Sequence, residues 1–106
     1  MLFIETSIFT RQLPRHLDDD GYAALQAFLS VHPQAGDVIR GTGGVRKIRW
    51  AMRERGKRGG SRIIYYWLAR EGHIYLLTVY AKGAKDDLTA AERDAWRRAV
   101  EAIDND

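Results

Sequence analysis

The chain has 106 residues, 45% of them apolar, and no cysteine; this fits one small domain (residues 1–106) and excludes a disulfide framework and thiolate chemistry. The net charge of +3 is unevenly spread: between positions 45 and 62 eight bases (Arg46, Lys47, Arg49, Arg53, Arg55, Lys57, Arg58, Arg62) oppose only Glu54, giving +7, while nine bases and thirteen acids elsewhere give −4. No apolar run approaches the ~20 residues of a membrane span, and the start MLFIE lacks the basic and apolar regions of a secretory signal, so a cytoplasmic protein without membrane contact is expected.

In chain order, residues 2–6 read as a short strand. Ser7 is placed to cap a helix from Ile8, which Pro14 disturbs. Asp18, Asp19 and Asp20 put acid at the start of a second helix, where the dipole favours it. Tyr22, Leu25, Phe28 and Leu29 give that helix an apolar face, and His32-Pro33 stops it. Residues 38–39 are a candidate edge strand, and GTGG at 41–44 is a flexible turn. Residues 45–52 alternate as a strand, with Ile48 and Trp50 on the face opposite Lys47 and Arg49.

Residues 53–60 form a basic, glycine-punctuated loop. RIIYYWLA at 62–69 is the strongest strand pattern in the chain. A hairpin turn follows, in which Gly72 supplies positive φ, and IYLLTVY returns as its partner. Both strands are apolar on both faces, which places them centrally, with helices on one side and a partly covered groove on the other. Thr89 and Glu92 make a capping box for a last helix that buries Trp96, Ala99, Val100 and Ile103. The expected order is β-α-α-β-β-β-α: an α+β domain with a mostly antiparallel sheet.

The glycine cluster lacks the dinucleotide fingerprint and there is no phosphate-binding P-loop, so it reads as a structural turn. His16, His32 and His73 lie far apart without metal-ligand spacing and read as surface residues; no metal or cofactor is expected. The acids concentrate at helix starts and on the tail, which argues against a carboxylate-held pair of metal ions. What remains is the basic loop. Its bland reading is a solvated turn; its functional reading is a polyanion site, with nucleic acid the default. A hairpin symmetric about Glu71-Gly72 brings Arg62 to the same sheet end as Tyr80, Lys82 and Lys85. Guanidinium groups clamp phosphate, and aromatic rings stack on unpaired bases.

Such a site suits RNA cleavage by the RNA's own 2′-hydroxyl. Arginine keeps its proton and therefore serves to stabilise charge. A lysine crowded by cations has its pKa lowered toward the range of a general acid or base. Lys57, between Arg55 and Arg58, is the favoured proton-transfer residue. Tyr80 is the reserve, or else simply a packed aromatic.

GDVIRGTGGVRKIRW, GKRGGSRIIYYW and IYLLTVYAKGAKDDLT, in that order, resemble the HigB subgroup of the RelE toxin family, most clearly over residues 36–88. The resemblance implies a small twisted antiparallel sheet with two N-terminal helices. It implies a ribosome-dependent messenger-RNA endonuclease, neutralised by a HigA-like helix-turn-helix antitoxin. By position, Arg62 matches the catalytic phosphate-binding arginine, Lys57 and Arg58 the basic loop, and Lys82 a second cation after the last strand. Arg53, Arg55, Arg58, Lys47, Arg49 and Lys85 are the further candidate RNA contacts. Relatives carry a catalytic tyrosine beyond that second cation, whereas this chain has none after Tyr80. Two other readings stand beside this one: a ParE-like gyrase poison without RNA chemistry, and a non-catalytic RNA-binding module.

Overall fold

The computed structural model describes residues 1–50, 60–83 and 88–105. Strand β1 (Leu2–Glu5) leads into helix α1 (Ser7–Gln12), a 3-10 turn (Leu13–Arg15) and helix α2 (Asp19–Val31). Strands β2 (Asp37–Val38), β3 (Arg46–Trp50), β4 (Ser61–Leu68) and β5 (His73–Ala81) follow, and helix α3 (Ala90–Asp104) closes the order. The sheet runs β1-β5-β4-β3-β2. Its three pairs from β2 to β5 are antiparallel, while β1 lies parallel to β5, with Leu2 opposite His73.

The helices start where short polar side chains relieve unpaired amides. Thr6, rather than Ser7, caps α1: its hydroxyl accepts from Phe9 N–H at 3.0 Å and donates to Leu77 O at 2.8 Å. The second bond selects Thr6, because it ties the cap to the sheet. Asp18 caps α2 through Gly21 N–H at 2.7 Å, and Asp19 and Asp20 occupy its first turn. The Thr89–Glu92 capping box is complete in both directions, at 3.1 and 2.8 Å. In the β4–β5 connection Gly72 adopts φ 66° in a left-handed turn, as glycine readily does.

The run IIYYWL has apolar side chains in both parities, so both faces of the sheet need cover. Ile63 and Tyr65 join Phe9, Leu25, Leu29, Ile74 and Leu76 in a core under α1 and α2. Ile64, Tyr66 and Leu68 join Val45, Leu77 and Val100 in a second core under α3. Helices therefore lie on both faces, not on one as the sequence reading had it. Phe28, expected on the buried face of α2, is 36% exposed.

One irregularity decides the site. Ile64 pairs with Thr78 but Tyr65 pairs with Leu76, so Leu77 is an extra residue in β5. A bulge of this kind reverses the strict side-chain alternation beyond it. Leu76 and Val79 thus face the same core although three residues apart, and Tyr80 turns to the α3 side.

Candidate nucleic-acid interface

Strand β3 presents Ile48 and Trp50 to the α1–α2 core. Its alternation gives Lys47 and Arg49 to the α3 side, as the sequence suggested. Arg49 is paired with Arg62, and Arg62 with Tyr80. Directly opposed residues share a face. Arg49, Arg62 and Tyr80 therefore form one row across three adjacent strands, spanning about 10 Å at the usual strand spacing. Lys82 follows β5 directly, and its N–H donates to Gly60 O at 3.2 Å, extending the ladder past the row. Arg49 and Lys82 are exposed, whereas Arg62 and Tyr80 are half-buried.

The sequence-derived convergence of Arg62, Tyr80 and Lys82 at one sheet end is present in the register. Arg53, Arg55, Lys57, Arg58 and Lys85 lie outside the described residues, as do the roles read for them. Trp50, paired with Ser61, and Gly60, the residue just before Ser61, flank the basic segment, and both stand at this sheet end.

Beside the row lies a cleft of about 600 Å³, lined by residues 37–41, Lys47 and Arg93. One wall is the glycine turn. Gly41, Gly43 and Gly44 have φ of 81°, 79° and 119°. A Cβ on Gly44 would stand 3.3 Å from the Tyr66 ring. Thr42, fully buried, donates to Ile39 O at 2.6 Å and accepts from Val45 N–H at 3.0 Å. The cluster is thus a structural turn, held by a threonine.

Arg40 and Arg93 were not singled out from the sequence. Arg93 was accessible to that reading: it lies three and seven residues before Trp96 and Val100, on the stripe α3 turns to the sheet. Its guanidinium donates to Leu88 O at 2.6 Å. Further along α3 the arginines are paired instead, Arg97 with Asp94 and Glu101, and Arg98 with Asp94.

No histidine belongs to the row. His73, read as a surface residue, is half-buried: it sits on an interior strand between Leu2 and Leu68, and among the described residues its buried Nδ1 has no hydrogen-bond partner. Burial, then the charge of Arg15, lowers the His16 pKa from its ordinary value. Among the described residues no three His, Cys, Asp or Glu side chains are grouped to hold a metal ion, and no helix is long and apolar enough to cross a membrane.

The opposite side of the sheet carries a second groove of about 560 Å³ against the C-terminal end of α2, lined by Phe28, Val31, His32, Pro33 and Trp67 among others. Trp67 Nε1 is buried there and has no hydrogen-bond partner among the described residues.

No protein-family model matches the chain. Among solved structures it is similar to the isolated E. coli RelE toxin, with 16% identity, 96% of this chain and 97% of that one covered, and a TM-score of 0.55. At that identity the likeness is one of fold, and this α+β chain has the RelE-like fold.

Proposed function

We propose that the chain is the toxin of a toxin–antitoxin pair, a HigB-type endoribonuclease that cuts messenger RNA on the ribosome in the cytoplasm. The observation that carries this reading is the Arg49–Arg62–Tyr80 row with Lys82 at its end. The fold shared with a protein named as a toxin supports it. In the proposed reaction the 2′-hydroxyl loses its proton and its oxygen bonds to the adjacent phosphorus. The P–O5′ bond breaks, and the departing 5′-oxygen takes up a proton. Arg62 and Lys82 stabilise the charge that gathers on the phosphorane oxygens, where preorganised donors have most effect. Lys57 moves the proton, with Tyr80 in reserve. The products are a 2′,3′-cyclic phosphate and a 5′-hydroxyl. A HigA-like helix-turn-helix antitoxin is the proposed partner.

Pulse labelling after induction tests the assignment: protein synthesis stops before DNA synthesis. The reverse order identifies a gyrase poison and overturns the reading. Replacing the scissile nucleotide's 2′-hydroxyl with hydrogen stops cleavage; a normal rate on that substrate removes the proposed mechanism.

A further inference from the structure

We infer that the cleft between β2, the glycine turn and α3 is a second phosphate subsite, which holds the same single-stranded RNA away from the scissile bond through Arg40, Lys47 and Arg93. The inference rests on the RNA-cleaving reading above and adds a binding site to it.

The first argument is charge. Three cations and one acid, Asp37, line the cleft. Among the described residues none of the three cations has a carboxylate within 4.0 Å, even though Asp37 stands directly opposite Lys47 on β2. Arg97 and Arg98, four and five residues along the same helix, are both neutralised by carboxylates. Arg93 instead donates to a backbone carbonyl, which orients the guanidinium, and among the described residues no carboxylate lies within 4.0 Å to compensate its charge. A planar guanidinium so held, with donors to spare, suits a phosphate.

The second argument is shape. A cleft of about 600 Å³ lies within the size range of ligand sites, roughly 300–1,000 Å³. Its walls are firm: Thr42 pins the turn, and Arg46 Nη1 donates to Gly36 O at 2.8 Å just before β2. The third argument is continuity. Lys47 precedes Arg49 by two residues on the same strand face, a step of roughly 7 Å. A strand lying on Arg62 and Arg49 thus comes next to Lys47, which lines the cleft.

The test is equilibrium binding of a twelve-nucleotide single-stranded RNA, 2′-deoxy at the cut position, across a salt series. Each phosphate contact contributes about 0.7 to the slope of log affinity against log salt. Arg40→Gln/Lys47→Gln is expected to lower that slope by about 1.4, so that affinity falls roughly sevenfold less between 50 and 200 mM salt. Arg93→Gln is expected to lower it by about half as much. Arg11→Gln/Arg15→Gln removes two exposed arginines near α1 and is expected to leave the slope unchanged. A folded Arg40→Gln/Lys47→Gln protein with the wild-type slope overturns the subsite while the RNA reading stands. Equal losses in both double variants also overturn it, since general charge then accounts for the effect. Wild-type protein that binds no RNA overturns the subsite, while the pulse-labelling order decides the RNA-cleaving reading.

Discussion

Arg62, the residue proposed to stabilise the transition state, is half-buried near the start of a central strand with Arg49 and Tyr80 on either side. Arg62→Ala is expected to lower the cleavage rate roughly 100- to 1000-fold, the usual cost of losing one preorganised donor. Arg62→Lys recovers only part, because an ammonium keeps the charge and loses the bidentate fork. Single-turnover cleavage with circular dichroism on the same samples measures this; a folded Arg62→Ala protein at full rate refutes the proposed role. Thr42 acts on stability instead. Thr42→Val keeps the volume but leaves the Ile39 carbonyl and the Val45 amide without their partner. A loss of about 1–3 kcal/mol follows for such buried groups, readable as a lower urea midpoint at constant m-value.

At the scale of elements, α3 is latched to the sheet at its C-terminal end. Tyr66 O–H donates to Asp104 Oδ1 at 2.7 Å, and Arg70 donates to Asp104 O at 3.0 Å. Burial, reinforced by the hydrogen bond to Asp104 and its charge, pushes the Tyr66 phenol up to about 12. Tyr22, by burial and its bond to Glu5, and Tyr65, by burial, shift the same way. A raised pKa means that the folded chain holds its phenolic protons where the unfolded chain has released them. The contribution is therefore complete below pH ~10, the unfolded value, and is lost as pH rises through the folded value. Unfolding free energy is expected to decline from pH 10 to 12. Tyr66→Phe makes that decline shallower; an identical slope in the variant shows that the latch does not titrate as described.

The whole molecule separates its charges. Residues 45–62, which carry Lys47, Arg49 and Arg62, hold +7, and the rest of the chain is net acidic at −4. A cationic sheet face attracts an acidic partner segment as readily as RNA, because complementary potentials guide association with both. The proposed antitoxin is therefore expected to cover Arg62 or Lys82, with Lys57 and Arg58 the other proposed contacts. Hydrogen exchange on adding the partner should slow at the ends of β4 and β5 next to Gly60 and Lys82. Protection confined to the groove around Phe28, Val31 and Trp67 would instead mean inhibition from the opposite face of the sheet.

Local pattern was sufficient for much of this. The alternation that sends Lys47 and Arg49 away from Ile48 and Trp50 depends only on neighbouring residues, as do the Thr89–Glu92 cap and the glycine of the β4–β5 turn. Each rests on backbone geometry that a few consecutive side chains settle. The pairing of Arg62 with Tyr80 was approached by assuming a symmetric hairpin, and it holds through a feature that assumption did not contain. The extra residue at Leu77 restores Tyr80 to the face of Arg62 after an asymmetric turn, and only packing against two separate cores selects it. The same is true of β1 lying parallel to β5, of helices on both faces, and of the cleft that joins Arg40, Lys47 and Arg93. These depend on contacts between residues far apart in the chain, where apolar burial on both sides of the sheet, and not local propensity, chooses among the arrangements that the pattern permits.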